Sequence, residues 1–328
     1  MNREGFRQYL HDRSIPKESI EQALALADRF EAFLREPGRP GAVQTARPED
    51  LSAFIGRLME HKENGEENLV TLVRYAWFGK NYPVYVAALE LVDGAEVLEN
   101  LYAKLGKEFG AEVRDEIFRG VSLPPLGTPT TERPRMMETL IQRLEDKAGT
   151  ECARQLLGTG LRTLPDEGYL EEKKKYEQAG GIDAYLARKR RDTLSLFERL
   201  KREGRPFFAQ MITDDVIEYV RTHPEVQQGV RVGNVIYESK IPYMTREYLV
   251  ETDPRMKAYY YCHCPWVRES FLQGNGRVPS VFCNCSAAFH KKPWEVIFGQ
   301  PLRADVLESV LKGDSHCRFA IHLPEDAL

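Results

Sequence analysis

Five of the six cysteines lie between Cys262 and Cys317, and four of these form two Cys-x-Cys pairs, Cys262-His263-Cys264 and Cys283-Asn284-Cys285. On an extended strand, residues two apart share a face, so each pair would aim two thiols to one side. Two such segments side by side would bring four thiolates to one point, the donor set that closes a structural zinc site with Zn–S bonds of about 2.3 Å. The 18 residues between Cys264 and Cys283 are an ordinary spacer for such a site. A flat strand separates the Cα atoms of residues i and i+2 by about 6.7 Å, so the chain must bend near the metal, and Pro265 offers the place. Zinc held by Cys262, Cys264, Cys283 and Cys285 is the leading expectation, and an iron–sulfur cluster uses four cysteines equally well by count. Buried thiols also act as small apolar core groups, which leaves that reading open.

Cys317, His263, His290 and His316 are spare donors. Cys317 is also the one candidate nucleophile, and as such it needs a base within hydrogen-bond reach, from His316, His290 or His263. On a strand His263 would face away from the two thiols that flank it, which suits a supporting role beside the site. His290 follows Phe289 in a helical stretch with Lys291, Lys292 and Trp294, where a partly exposed position is expected. Gly313 and Asp314 are first of all turn residues, one free to take positive φ and the other able to cap the turn with its carboxylate. Trp266, Trp294, Tyr243, Tyr248 and Tyr259 to Tyr261 would form core or the wall of an apolar pocket.

The elements that must position these residues change character at Pro206. Beyond it, Val230 to Tyr237, Tyr259 to Tyr261 and Val281-Phe282 are β-branched and aromatic clusters bounded by turn residues, and they predict strands. Ala287 to Phe298 predicts a helix. A strand from about Leu302 to Val310, a turn at Lys312-Gly313-Asp314 and a return strand from Cys317 to His322 predict a hairpin, with Cys317, Phe319 and Ile321 on its inward face. These stretches, CHCPWVRESF and then FCNCSAAFHKKPWEVIFGQPLRADVLESVLKGDSHCRFAIHLP, resemble the C-terminal half of the 4-vinyl reductase domain and the related L-2-amino-thiazoline-4-carboxylate hydrolase-like proteins. The family pattern Gly-Asp-x-x-Cys-x-Phe is matched by Gly313, Asp314, Cys317 and Phe319. Over about residues 205–328 the resemblance implies a small-molecule-binding α+β domain with bound zinc in some members. In the hydrolase branch it implies ring-opening cleavage of a C–N bond in a small cyclic substrate.

Helical periodicity fills the rest of the chain. Ile20, Ala23, Leu24, Ala27, Phe30 and Leu34 recur at three and four residues, and further helices start near Pro48 and Asn68. The order YLHDRSIPKESIEQALALADRFEAFL, PEDLSAFIGRLMEH, NLVTLVRYAWFGK resembles the SAM-like core-binding domain of tyrosine recombinases, which grips DNA. Residues 1–105 nevertheless hold 13 Lys plus Arg against 17 Asp plus Glu, whereas a duplex-gripping surface needs clustered cations. SLPPLGTPTTERP, with four prolines in 13 residues, predicts a linker. Residues 173–205 carry 11 basic and 5 acidic side chains, including Arg188 to Arg191, on what reads as the solvated face of a helix or a contact for nucleic acid or an acidic partner.

These readings predict an α+β protein: a helical bundle over 1–120, a linker over 121–134, a helical connection over 135–205 and an α+β domain with an antiparallel sheet over 206–328. With 42 % apolar and 29 % charged residues and a net charge of −4, the composition is that of a globular protein. The start, MNREGFRQYLHD, lacks an apolar run, and no stretch approaches the roughly 18 apolar residues of a membrane span, which predicts a reducing, cytoplasmic compartment. The expected role is metal-dependent sensing or binding of a small apolar ligand. A thiazoline hydrolase and a DNA-associated protein are the rivals. Self-association is a further expectation.

Overall fold

The structure is a computed structural model and describes residues 2–273 and 278–325. The chain forms two compact units, Met1–Ala95 with Leu123–Thr130, and Glu96–Ser122 with Thr131–Leu328. The first is all-helical: α1 (Arg3–His11), α2 (Lys17–Leu34), α3 (Pro48–Glu60), α4 (Glu66–Phe78) and α5 (Tyr82–Val92). Its core takes the expected stripe of α2 together with Leu51, Phe54, Leu58, Leu69 and Leu72. Within that core the Glu31 carboxylate accepts from Tyr75 Oη at 2.6 Å and from the Val43 amide at 3.3 Å, which satisfies a buried acid.

The first unit closes with chain from beyond its five helices. Leu126 packs against its core, and Asn64 donates to the Leu126 carbonyl at 2.7 Å, so Leu123–Thr130 belongs here and is no free linker. Conversely, α6 (Val97–Ile117) lies in the second unit, because Leu98, Leu101, Leu105 and Ile117 are buried in that unit's core. The bundle therefore ends near Ala95, not near residue 120. The segment expected as a helical connection also carries core: α7 (Arg133–Ala148) contributes Met137, Leu140, Ile141 and Leu144, and α10 (Ile182–Glu203) contributes Phe197 and Leu200.

The second unit is α+β. After α8 (Thr150–Leu157), α9 (Leu170–Glu177) and α10 come the short hairpin β1 (Pro206–Phe207) and β2 (Gln210–Met211), then α11 (Asp214–Thr222). Strands β3 (Val230–Val232), β4 (Val235–Ser239), β5 (Arg303–Glu308) and β6 (Arg318–His322) form one antiparallel sheet in the order β3-β4-β6-β5. Ile236 pairs with Ile321 and Ala304 with Ile321, which fixes the register. The expected C-terminal hairpin is present. Gly313 takes φ +99° at its turn, and Asp314 accepts from the Ser309 amide at 2.8 Å.

Two expected strands are helical. Tyr259 to Tyr261 close α13 (Pro254–Tyr261), which follows α12 (Thr245–Val250). Asp253 accepts from the Arg255 and Met256 amides, and Pro254 sits at the first position, so a capped start outweighs the β-propensity of three tyrosines. Val281 and Phe282 lie in a 3-10 turn, Ser280–Cys283, that runs into α15 (Asn284–Phe298), after the short α14 (Ser270–Gln273). No helix of the described residues is long and apolar enough to cross a membrane.

Candidate functional site

The cysteine pairs are consequently presented by helix ends instead of strands. Cys262 caps the C-terminus of α13, its amide donating to the Ala258 carbonyl at 3.0 Å. The chain then turns through Pro265, with the Cys264 carbonyl accepting from the Val267 and Arg268 amides. Cys283 ends the 3-10 turn, and Cys285 lies in the first turn of α15. Cys317 stands immediately before β6.

All five line one enclosed cavity of ≈ 40 Å³, together with His263, Lys240, Ser286 and Ser309. A space of this size holds an ion or a few waters, since one water needs about 10–15 Å³ by the same measure. It is far below the roughly 300–1,000 Å³ of sites for organic ligands. Cys152 is exposed on α8 and takes no part.

Tyr261 and Lys240 hold the cavity together, and neither was marked by the cysteine pattern. The Tyr261 hydroxyl donates to the Lys240 carbonyl at 2.7 Å and approaches that of Cys317 at 3.4 Å, tying β4 to the start of β6. Lys240 Nζ donates to Ser286 Oγ at 3.0 Å. Cys283 Sγ and Ser309 Oγ are 3.0 Å apart. The sequence signals for these residues are weak: a lysine two positions after Glu238, and the Tyr261 and Ser286 hydroxyls next to cysteines.

Burial keeps the thiols protonated. It pushes Cys264 up to about 11 and Cys283 up to about 12, and raises Cys262, Cys285 and Cys317 above the ordinary thiol value. The Lys240 ammonium opposes this rise at all five, which is the electrostatic mark of their shared surroundings. Burial likewise pushes His263 down to about 3. Its Nε2 is 2.7 Å from the Ile241 carbonyl, an acceptor only, so Nε2 carries the hydrogen and Nδ1 the lone pair.

The remaining candidates are placed elsewhere. His290 stacks on Phe319, ring centroids 4.5 Å apart, and its Nδ1 lies 3.4 Å from Glu238 Oε2. Its side chain is only 11 % exposed, less than a surface helix position implies. His316 bonds Ser315 and lies 3.5 Å from Glu308, on the outside of the hairpin. Asp314 is spent on the turn. Among the described residues, none of the three histidines hydrogen-bonds Cys317, whose thiol instead bonds Ser309 and the Val310 backbone.

In number and softness of donors the cavity fits a thiophilic ion. As the side chains stand, no three His, Cys, Asp or Glu side chains among the described residues are drawn together closely enough to ligate one. Comparison with family models, with curated proteins and with solved structures returns no match for this chain.

Proposed function

We propose that the second unit is a thiolate metal centre with a sensing or regulatory role, in keeping with the zinc-containing 4-vinyl reductase-like proteins that its C-terminal sequence resembles. The observation that carries this reading is the convergence of five cysteines on one ion-sized cavity. Cys262, Cys264, Cys283 and Cys285 would hold zinc, with Cys317 beside them and the His263 lone pair in reserve. Bound zinc would supply a fixed tetrahedral charge that ties the end of α13 to the start of α15. Loading needs the thiols to lose their protons and turn toward one point, so it is coupled to pH and to local order. Six free cysteines suit a reducing, cytoplasmic compartment.

A hydrolase built on Cys317 has less support, because its thiol is protonated by burial and the nearby histidines are engaged with other partners. DNA association through the first unit is disfavoured by that segment's excess of acidic residues.

Elemental analysis of the purified full chain, read with its visible spectrum, tests the reading. One zinc per chain and no colour is the expected result. A brown protein would replace zinc by an iron–sulfur cluster. Metal-free protein that takes up neither zinc nor iron would remove the metal centre altogether.

A further inference from the structure

The thiol cavity has no room for an organic molecule, but a second recess of the same unit does. It measures ≈ 490 Å³, within the range of small-molecule sites, and shares no lining residue with the cavity. One face of α10 forms its wall, where Lys189, Asp192, Thr193, Leu196 and Arg199 recur at the three- and four-residue spacing of a helix. Leu196 and Phe207 give it an apolar floor, backed by the buried Phe197 ring 4.8 Å from that of Phe207.

Most of its charges are already matched. Lys175 Nζ lies 2.6 Å from Glu172 and 3.7 Å from Asp192, and Lys189 pairs at 3.6 Å with buried Glu238 behind the wall. Arg199 is different: among the described residues its guanidinium makes no ion pair or hydrogen bond. Nor do the Thr193 and Ser195 hydroxyls or the Gln227 amide side chain, all of which line the recess. Counting the lining side chains, three cations face two carboxylates, an excess of one positive charge.

Gln227 adds a second observation. It is a non-glycine residue at φ +68°, a left-handed conformation that costs free energy in any L residue with a side chain. Its amide donates to the Ser239 carbonyl at 3.3 Å, so the fold holds the strained backbone in place at the rim. Glycine would take this φ without strain, yet the chain keeps a side chain able both to donate and to accept here.

We propose that this recess binds a small organic carboxylate with an apolar body. The carboxylate would pair with the Arg199 fork and the neighbouring hydroxyls, the body would rest on Leu196 and Phe207, and Gln227 would meet a polar substituent or the carboxylate edge. An amine is disfavoured by the free arginine. The site is independent of the metal centre, and the unassigned ligand becomes an anion instead of a purely apolar molecule.

Isothermal titration of the full chain as purified tests this. The probes are benzoate, phenylacetate and hexanoate, with benzylamine and phenyl phosphate as contrasts. Saturable binding of a carboxylate is expected, tighter than either contrast. Arg199→Gln should weaken it about tenfold, the loss expected when a charge-assisted hydrogen-bond pair is removed, while Arg202→Gln, outside the recess, leaves it unchanged. Gln227→Gly should weaken binding yet raise the melting temperature, a combination that a merely structural role would not give. No saturable carboxylate binding, tighter binding of benzylamine or phenyl phosphate, or full affinity in Arg199→Gln would overturn the proposal.

Discussion

Lys240 donates to Ser286 at 3.0 Å, and two residues earlier on the same extended chain Glu238 meets His290 at 3.4 Å, one helical turn after Ser286. A step of two along the chain at the end of β4 thus matches a step of four along α15. The result is two adjacent polar pairs, one cationic and one acidic, of which the first lines the thiol cavity.

The first pair makes a prediction about reactivity. Lys240 is the cation that opposes the burial-driven rise in every cavity thiol. In Lys240→Met those thiols should ionise still less at a given pH, and alkylation by iodoacetamide of metal-free protein, followed site by site by mass spectrometry, should slow. Exposed Cys152 should react at its usual rate in both proteins. Faster labelling of Cys283 in the variant would show that Lys240 shields the thiols by packing, not by charge.

The second pair predicts an acid limb in stability. Burial lowers His290 despite Glu238, while Glu238 itself, pushed up by burial, is carried below its ordinary value by Lys189 and His290. The unfolded chain therefore binds more protons than the fold as pH drops below about 6.5, and stability must fall with pH there, with the glutamate contribution lost at still lower pH. His290→Gln removes the first of these steps. Denaturant titrations at pH 7 and pH 5 should show a smaller difference in the variant, and an unchanged difference would mean that His290 titrates alike in both states.

Metal loading is testable through the cysteines themselves. Cys262→Ser and Cys285→Ser should each lose zinc and melt lower than wild type, whereas Cys152→Ser should keep both metal and melting temperature. In a unit of about 200 residues each kcal/mol of lost stability lowers melting by roughly 2–4 °C. Full metal content in both cavity variants would take Cys262 and Cys285 out of the ligand set.

The cap of α13 sets where Cys262 stands. Asp253→Ala leaves the Arg255 and Met256 amides without their acceptor and should cost about 1 kcal/mol. Calorimetry should register a small drop in melting, and zinc affinity by chelator competition should fall with it, since the helix end must be ordered to present the thiol. Lower melting with undiminished affinity would uncouple the helix from the site.

Legibility in the sequence followed the range of the interaction. The Gly313-Asp314 hairpin and α2 were readable because turn chemistry and helical spacing are local, and so was the grouping of the cysteines. Around Cys262 the β-propensity of the tyrosine run is overridden by the Asp253-Pro254 helix start that precedes it. The bonds that give Lys240, Tyr261 and Ser309 their roles at the cavity are not legible in sequence, since they join residues 21 to 56 positions apart. Nor could amphipathicity say which core α6 would join, because an apolar stripe does not name its partner.

The return of Leu123–Thr130 to the first unit has a consequence for synthesis. A ribosome releases the chain from its N-terminus, so the five-helix unit cannot complete its packing until residue 130 has emerged. By then α6 is already outside, its stripe of Leu98, Leu101 and Leu105 made before α7 exists to cover it. The nascent chain must carry that uncovered helix through the interval, and a pause in translation there would hold it exposed for longer.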